Sequence, residues 1–583
     1  MRYRVLLFLI VAGLLPAGAV RAASTHEWDL CKDVDSAANA SAGIAACNRI
    51  LSNSRESRQN RAAALSNRCG LYVTKKQPDL AIADCSQSIQ LNSKNSSPFH
   101  NRGNAYYDKN DFDRALADYG SAIRIDPKFP ASYNGRGNAY RRKGDADRAL
   151  ADYNTAIRLD PRFAIAYNGR GIVYSNRNDR DRAIAEFTLA IQFDPRNAAA
   201  YNNRCDDLRA KGELDRAIAD CTVAINIEPT AIRLSNRGLA YYDKHDYDRA
   251  LADYNRAIGL EPSKERYINR GNAYFGKKDF DRAIADYNAA IRLDPKFTIA
   301  LGNRGSAHYQ KHDYDNSIAD YSAAIQIEPN APRLVDRGNA YREKKDLDRA
   351  IADYSEAIRL NPKYSTARNN RAAAYFDKND YDRAIADYNE AIKLDPKSTS
   401  YYYRRGTAYA VKGDTEHVIA NYSELIAVSP RSGAAYRSRG IAYLFSGALP
   451  KALADANQAS DLEPKSAYHA LWLDIIGQRN NVPSRLSQQV AKFDMTVWPA
   501  PVVRMFLGQL TPAAVLAAAD NADANTKRDQ LCEANFYSGE LALRKNQKDD
   551  AARLFKAAYT GCPRTFIEWD GANGELKALG VTP

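Results

Sequence analysis

Residues 130–163 read PASYNGRGNAYRRKGDADRALADYNTAIRLDPRF, and close copies of this stretch follow one another along most of the chain. Six residues define the pattern, at repeat positions 8, 11, 20, 24, 27 and 32: Gly137, Tyr140, Ala149, Tyr153, Ala156 and Pro161. The small residues allow two antiparallel helices to approach closely, the aromatic rings fill the space between successive hairpins, and the proline ends the second helix. The stretch therefore predicts one helical hairpin.

The spacing of the closing prolines shows how often the hairpin recurs. They stand 33 or 34 residues apart, at Pro127, Pro161, Pro195, Pro229, Pro262, Pro295, Pro329, Pro362, Pro396, Pro430 and Pro464. A fixed period in this range is typical of stacked supersecondary units. Twelve repeats run from Ala62 to Ser466. Because 583 residues exceed what one compact core holds, we expect an array whose core grows lengthwise.

The six-position pattern resembles the signature of the tetratricopeptide repeat (TPR) family. The resemblance implies an all-α fold, a right-handed superhelix (α-solenoid) of helix-turn-helix hairpins, and a function in binding proteins or peptides. Positions 2, 5, 6, 9 and 12 of each first helix would form the inner surface of that superhelix. We refer to these positions as the first-helix face.

Both ends of the chain depart from the repeat. Residues 1–22 predict a secretory signal peptide, with Arg2 and Arg4 before an apolar run and a small-residue cleavage site after it. The run is shorter than the roughly 20 residues that span a bilayer. We therefore expect cleavage, no membrane span afterwards, and a periplasmic or secreted protein. The other segments are a divergent TPR-like cap at 23–61, twelve tandem repeats at 62–466, a divergent helical region at 467–529, and a final TPR-like hairpin with a C-terminal helix at 530–583.

The cysteines fall into four pairs: Cys31 with Cys47, Cys69 with Cys85, Cys205 with Cys221, and Cys532 with Cys562. The first three pairs occupy repeat positions 8 and 24, which face each other across one hairpin, and the last pair lies at the open end of the final hairpin. An even count, this geometry and a signal peptide predict four disulfides in an oxidising compartment. The alternative is that these cysteines are small apolar core residues. Their spacing does not suit zinc, so no metal is expected.

Asparagine recurs at positions 6 and 9 of the first helices, at Asn67, Asn101, Asn104, Asn138, Asn203, Asn236, Asn269, Asn272, Asn303, Asn339 and Asn370. A side-chain amide both donates and accepts hydrogen bonds, so a row of amides can bind the backbone of an extended peptide whatever its side chains. The row resembles the asparagine ladder of O-linked N-acetylglucosamine transferases, whose catalytic half is absent from this chain. The alternative is that the amides tie adjacent hairpins together in a partly buried network.

Arginine stands at position 7 of all twelve repeats, and position 23 is Asp or Glu in most of them, as in Arg237 and Asp253. A guanidinium and a carboxylate form a bidentate ion pair. We therefore expect these residues to join helices within or between hairpins rather than to contact a ligand.

Composition and motifs favour a binding protein. The net charge of +13, from 83 basic and 70 acidic residues, is a mild bias and gives no evidence for nucleic acid. No nucleophile elbow and no zinc-binding histidine pair around a glutamate occurs, so we expect no catalytic residue, metal or cofactor. The prediction is a non-enzymatic scaffold of the cell envelope that binds a protein or extended peptide, for example an envelope enzyme or assembly factor.

Two alternatives to that function remain. One is an enzyme or enzyme-regulatory subunit with its active region in residues 467–583, which would show a polar cleft with convergent titratable groups there. The other is a purely structural spacer, whose first-helix face would be blocked or covered with charge.

Overall fold

The computed structural model describes residues 24–32 and 39–582, so the predicted signal peptide lies outside the described residues. In this part of the chain the secondary structure is helical, without a strand. The predicted all-α fold is confirmed. The chain divides into two compact bodies, Met1–Asp286 and Tyr287–Pro583, called here the N-terminal body and the C-terminal body.

The helices of the N-terminal body are α1 (Thr25–Lys32), α2 (Ala40–Ser52), α3 (Arg58–Thr74), α4 (Pro78–Leu91), α5 (Ser97–Asp108), α6 (Phe112–Ile125), α7 (Pro130–Arg142), α8 (Ala146–Leu159), α9 (Ala164–Asn176), α10 (Arg180–Phe193), α11 (Ala198–Ala210), α12 (Leu214–Ile227), α13 (Ala231–Asp243), α14 (Tyr247–Leu260) and α15 (Lys264–Gly276). The boundary between the two bodies falls within α16 (Phe280–Leu293).

The helices of the C-terminal body are α17 (Thr298–Gln310), α18 (Tyr314–Ile327), α19 (Ala331–Glu343), α20 (Leu347–Leu360), α21 (Ser365–Asp377), α22 (Tyr381–Leu394), α23 (Thr399–Lys412), α24 (Thr415–Val428), α25 (Gly433–Phe445), α26 (Leu449–Leu462), α27 (Ala467–Arg479), α28 (Leu486–Gln489), α29 (Ala500–Phe506), α30 (Pro512–Ala518), α31 (Ala524–Arg544), α32 (Lys548–Gly561) and α33 (Ile567–Ala578). A short 3-10 helix, Val490–Lys492, follows α28.

Local sequence explains each hairpin, as in repeat 130–163. Pro130 is the first residue of α7, where its missing N–H costs no hydrogen bond. Gly144 turns the chain with a φ of +83°. Asp145 then caps α8 by accepting a hydrogen bond from the backbone N–H of Arg148 (3.0 Å). The same turn position has a positive φ in all twelve repeats, at Lys76, Asn110, Gly144, Asn178, Gly212, His245, Lys278, His312, Lys345, Asn379, Gly413 and Gly447.

The tyrosine at position 24 fixes how closely hairpins pack. Tyr153 is fully buried between Gly137 of its own hairpin and Gly169 of the next. A Cβ on Gly169 would lie 2.6 Å from Cε1 of Tyr153, nearer than real contacts allow. The ring of Tyr153, as it is placed here, therefore leaves no room for a side chain at residue 169.

Residues 467–582 continue as helices around a different core. Trp472 lies at its centre, 1% exposed, and its ring stacks on Phe536 with centroids 5.3 Å apart. The last helix, α33, packs on α31 and α32 and also reaches α25. There a Cβ on Gly574 would lie 2.5 Å from the ring of Phe445. The end of the chain therefore folds back over the last repeat.

Candidate functional site

The predicted asparagines all lie on first helices, and each side chain is partly buried. Their positions are Asn67 on α3, Asn101 and Asn104 on α5, Asn138 on α7, Asn203 on α11, Asn236 on α13, Asn269 and Asn272 on α15, Asn303 on α17, Asn339 on α19, and Asn370 on α21. Positions 6 and 9 are three residues apart and so share one side of a helix. The amides therefore form a row within each body.

The asparagines at position 9 bond to their own hairpin. The hydroxyl of the position-24 tyrosine donates to the amide oxygen in three repeats, Tyr119 to Asn104 (2.7 Å), Tyr153 to Asn138 (2.7 Å) and Tyr354 to Asn339 (2.8 Å). These bonds satisfy a buried hydroxyl and fix the orientation of the amide.

The asparagines at position 6 bond to the preceding hairpin. The side-chain nitrogen of Asn203 donates to Asn168 (3.0 Å), that of Asn236 to Asn202 (3.1 Å), and that of Asn370 to Asn339 (3.0 Å). At least six of the eleven predicted residues thus take part in a network within or between hairpins. This is the arrangement that the alternative to peptide binding describes. Each donating amide uses one of its two N–H groups, so capacity for a further partner remains.

Apolar side chains accompany the amides on the first-helix face. Position 2 holds Ile165, Ile232 and Ile299, which are 53%, 59% and 51% exposed. Aliphatic groups that project from a folded helix beside hydrogen-bonding amides are suited to contact the side chains of a bound chain. The face is therefore neither blocked nor covered with charge at these repeats.

The position-7 arginines form the ion pairs that the sequence predicted. Arg237 donates to both carboxylate oxygens of Asp253 (2.7 Å each) and also to Thr222 of the preceding hairpin (3.1 Å). The equivalent pairs are Arg68–Asp84, Arg102–Asp118, Arg136–Asp152, Arg170–Glu186, Arg204–Asp220, Arg270–Asp286, Arg304–Asp320, Arg337–Asp353, Arg371–Asp387 and Arg439–Asp455. These arginines join the helices of one hairpin and do not present a free charge.

The cysteines are joined as the sequence predicted, by disulfides within single hairpins. The Cα atoms are 5.0 Å apart in Cys31–Cys47, 5.5 Å in Cys69–Cys85, 5.5 Å in Cys205–Cys221 and 4.8 Å in Cys532–Cys562. The last bridge connects α31 to the segment that leads into α33.

A cavity of about 410 Å³ lies in the C-terminal body, where α23, α25, α27 and α31 meet residues 564–570. Three carboxylates line it, those of Glu533, Glu568 and Asp570, together with the guanidinium of Arg437. Glu533 and Glu568 are 8% and 4% exposed. Burial of this many acids around an open space is unusual in a protein interior.

Neutral groups hold two of these carboxylates. The hydroxyl of Tyr468 (2.9 Å) and the indole N–H of Trp498 (2.7 Å) donate to Oε2 of Glu533. The hydroxyl of Tyr537 donates to Oε1 of Glu568 (3.0 Å). Burial, followed by the charge of Glu568, raises the pKa of Glu533 to about 7. Burial also raises the pKa of Asp570 to about 6.

Comparison with known families follows the repeat. A model described as "TPR repeat" matches residues 103–144 and 137–177, and models described as "Tetratricopeptide repeat" match residues 164–197, 235–296, 268–332 and 335–399. The chain is a tetratricopeptide repeat protein. Among curated proteins, none matches it.

Solved structures that are similar to this tetratricopeptide repeat protein include the following three. A tetratricopeptide repeat protein from Parabacteroides merdae is 20% identical, over 42% of this chain and 98% of that one, with a TM-score of 0.34. YrrB, described as a TPR protein with an unusual peptide-binding site, is 24% identical over 33% and 97%, with a TM-score of 0.27. Yeast Tom70 is 16% identical over 78% and 100%, with a TM-score of 0.34.

The tetratricopeptide scaffold indicates binding of proteins or peptides, since stacked hairpins build extended surfaces of this kind. Over the described residues, no helix is long and apolar enough to cross a membrane. In the same part of the chain, no three His, Cys, Asp or Glu side chains converge to hold a metal ion.

Sequence reasoning missed the residues of the C-terminal cavity. Glu533, Glu568 and Asp570 lie where the repeat has lost its register, so no position number indicated which way they face. Arg437 was considered only as a member of the repeat, where position 5 lies on the first-helix face. The one available signal in composition is tryptophan, since three of the four in the chain, Trp472, Trp498 and Trp569, follow residue 466.

Proposed function

We propose that this tetratricopeptide repeat protein is a non-catalytic scaffold of the cell envelope that binds a protein or extended peptide along its first-helix face. The observation that carries the proposal is the combination on that face of an amide row with exposed isoleucines. The following features support it.

The amides provide polar contacts that do not depend on the ligand's sequence. Asn236 donates one N–H to Asn202, and both side chains stay partly exposed. An extended peptide presents N–H and C=O groups at regular intervals, and amides held in a fixed orientation can meet them with little further loss of freedom. The network among the amides therefore orients them for a ligand as well as joining hairpins.

The isoleucines provide apolar contacts beside the amides. Ile165 and Ile232 belong to the N-terminal body and each leaves more than half of its surface in water. Covering such side chains stabilises a complex by roughly 25 cal/mol per Å² of apolar area. The face therefore suits a peptide with apolar side chains at intervals.

The four disulfides support an envelope or extracellular location. All eight cysteines are paired within hairpins. Disulfides of this kind persist in oxidising compartments and are rare in the cytosol. Together with the predicted signal peptide, this favours a periplasmic or secreted protein.

The enzyme alternative requires a polar cleft in residues 467–583, and the C-terminal cavity is such a cleft. Its lining contains acids, tyrosines and arginine but no histidine, cysteine or lysine. That composition favours ligand binding, which an enzyme-regulatory subunit would also need. Mass spectrometry of the ligand after incubation with the protein distinguishes the two alternatives, because an enzyme would convert the ligand and a scaffold would leave it unchanged.

The experiment that tests the scaffold proposal measures affinity for peptides selected by phage display against the mature chain. Replacing Asn203 and Asn236 with Ala removes about 1 kcal/mol for each lost hydrogen bond and weakens binding roughly tenfold or more. A matched control replaces Gln192 and Asn226, which are exposed on second helices, and should leave affinity unchanged. Equal affinities for the two double variants, with both folded by circular dichroism, would contradict the proposal.

A further inference from the structure

The cavity of the C-terminal body has an unmatched pattern of charge. The charge of Arg437, which lines the cavity, lowers the pKa of Glu568 against the larger effect of burial, which raises it. Glu533 accepts hydrogen bonds from the side chains of Tyr468 and Trp498, and both of these donors are uncharged. The carboxylates therefore outnumber the cations that balance them.

Arg437 itself lacks a complete set of partners. Its Nε is buried and has no hydrogen-bond partner in the structure. A buried donor without a partner destabilises the fold by roughly 1–3 kcal/mol, so such groups are uncommon unless something else occupies the site. The other arginine of the lining, Arg564, is engaged instead at the surface, where it donates to Asn379 (2.8 Å) and Tyr381 (2.7 Å).

The rest of the lining suits a small organic molecule in size and character. The aromatic rings of Tyr403, Tyr422 and Phe566 provide apolar walls. A volume of about 410 Å³ lies within the usual range of small-molecule sites. Aromatic rings beside carboxylates suit an organic cation, and among the described residues no three His, Cys, Asp or Glu side chains converge to hold a metal ion.

We propose that this cavity binds a small zwitterion, a free amino acid or short peptide, whose ammonium group meets Glu533 and Asp570 and whose carboxylate meets Arg437. A molecule with both charges accounts for the excess of carboxylates and for the unpartnered Nε of Arg437. A simple amine would leave the arginine without a partner, and a simple acid would be repelled by the carboxylates. The raised pKa values of Glu533 and Asp570 agree with this proposal. Burial disfavours the ionised form of both carboxyl groups, and the positive charge of a bound ammonium group would favour it.

The cavity lies on the first-helix face of the last two repeats, where Tyr403 and Arg437 stand at position 5. Its lining includes no residue of repeats 62–398, so it does not depend on peptide binding there. The cavity wall includes residues 564–570, which follow Cys562 and its disulfide to Cys532. Ligand in the cavity therefore contacts helices of the last two repeats and the terminal segment at once. A failure to bind zwitterions would not contradict the scaffold proposal, and a failure to bind peptides would not contradict the zwitterion proposal.

The experiment screens the full mature chain, oxidised, against the twenty free L-amino acids and a set of dipeptides at millimolar concentration by thermal shift. Isothermal titration calorimetry then compares the best zwitterion with its N-acetyl and C-terminal amide forms, each of which lacks one charge. We expect each altered form to bind at least about tenfold more weakly, because each leaves a buried charge without a partner.

Variants assign each charge to its residue. Arg437→Gln should abolish the preference for a free carboxylate, and Asp570→Asn should reduce the preference for a free ammonium. Arg431→Gln, at an exposed arginine just before α25, is the matched control and should bind normally. Circular dichroism shows whether each variant folds, and Arg437→Lys, which keeps the charge, is the second test if Arg437→Gln unfolds.

Three results would overturn the proposal. One is that no amino acid or dipeptide shifts the melting temperature or binds in calorimetry. Another is that the singly charged forms bind as tightly as the zwitterion. The third is that folded Arg437 and Asp570 variants keep the full charge preference.

Discussion

The repeats and the C-terminal cavity both bury carboxylates, but these carboxylates have different partners. In α14, Asp253 is 3% exposed and receives two hydrogen bonds from the guanidinium of Arg237. In the C-terminal cavity, Glu533 is 8% exposed and receives only the neutral donors of Tyr468 and Trp498. A matched buried charge joins helices, whereas an unmatched charge beside an open space indicates a ligand site.

Breaking a matched pair should have the largest effect. Asp253→Asn leaves the buried charge of Arg237 without its partner, so we expect unfolding in urea to become easier by about 3–5 kcal/mol. Asp248→Asn is the control on the same helix, because the Asp248 side chain is 81% exposed and pairs with Lys277 at the surface. The control should change little. Equal, small effects would show that the pair contributes nothing to the stack.

Removing disulfides should separate the two regions. Replacing Cys205 and Cys221 with Ala opens a loop of 16 residues and should destabilise its hairpin by about 3 kcal/mol without changing binding in the cavity. Replacing Cys532 and Cys562 should instead weaken zwitterion binding, because this bridge holds the segment that forms the cavity wall. Non-reducing peptide mapping first establishes the four pairings. Free thiols in the oxidised protein, or equal effects of the two changes on binding, would contradict the assignment.

The difference between the regions also explains how much the sequence could predict. Each repeat position has a similar environment in every repeat, so the pairing of Arg237 with Asp253 could be predicted from their spacing. The same reasoning placed Asn236 on the first-helix face. It could not decide that this amide bonds to Asn202, because that depends on side-chain rotation between neighbouring hairpins.

The C-terminal region offers no such register. Glu533 and Asp570 are 37 residues apart in sequence and line one cavity because α33 packs against α31. Nothing in the local pattern specifies this arrangement, since it depends on packing around Trp472 and on the close approach of Gly574 to Phe445.

pH should act with opposite sign on the buried acids of the C-terminal region and on the helix caps of the repeats. Burial raises the pKa of Glu533 to about 7 and that of Glu540 to about 8. An acid whose pKa is raised on folding stabilises the fold fully below its unfolded pKa and loses that contribution as pH rises through its folded value. The C-terminal region should therefore become less stable between pH 5 and pH 8.

The helix caps of the repeats respond in the other direction. Hydrogen bonds from the backbone N–H and then the side chain of Arg148 lower the pKa of Asp145 below its usual value of 3.8. An acid with a lowered pKa stabilises the fold above its unfolded value and loses that contribution as pH falls through the folded one. The caps should therefore weaken only in strong acid.

Two spectroscopic signals follow the regions separately. Trp472, Trp498 and Trp569 report on the C-terminal region by fluorescence once Trp28 is replaced with Phe, while circular dichroism is dominated by the repeats. In urea, the fluorescence midpoint should fall from pH 5 to pH 8 by more than the dichroism midpoint, to which the partly buried Asp336 of the repeats, with a pKa raised to about 6, contributes a smaller fall. Equal changes in both midpoints would contradict the predicted difference in pH dependence between the C-terminal region and the repeats.

The most direct test compares the unfolding free energies of Asp253→Asn and Glu533→Gln at pH 8, where both native carboxylates are charged. Removing the matched charge of Asp253 should destabilise the protein by several kcal/mol, about 3–5. Removing the unmatched charge of Glu533 should leave stability unchanged or increase it, because the residues of a binding site often lower the stability of the fold. The account predicts these different signs. A loss of stability in Glu533→Gln as large as that in Asp253→Asn would show that the cavity carboxylates are structural, and would contradict it.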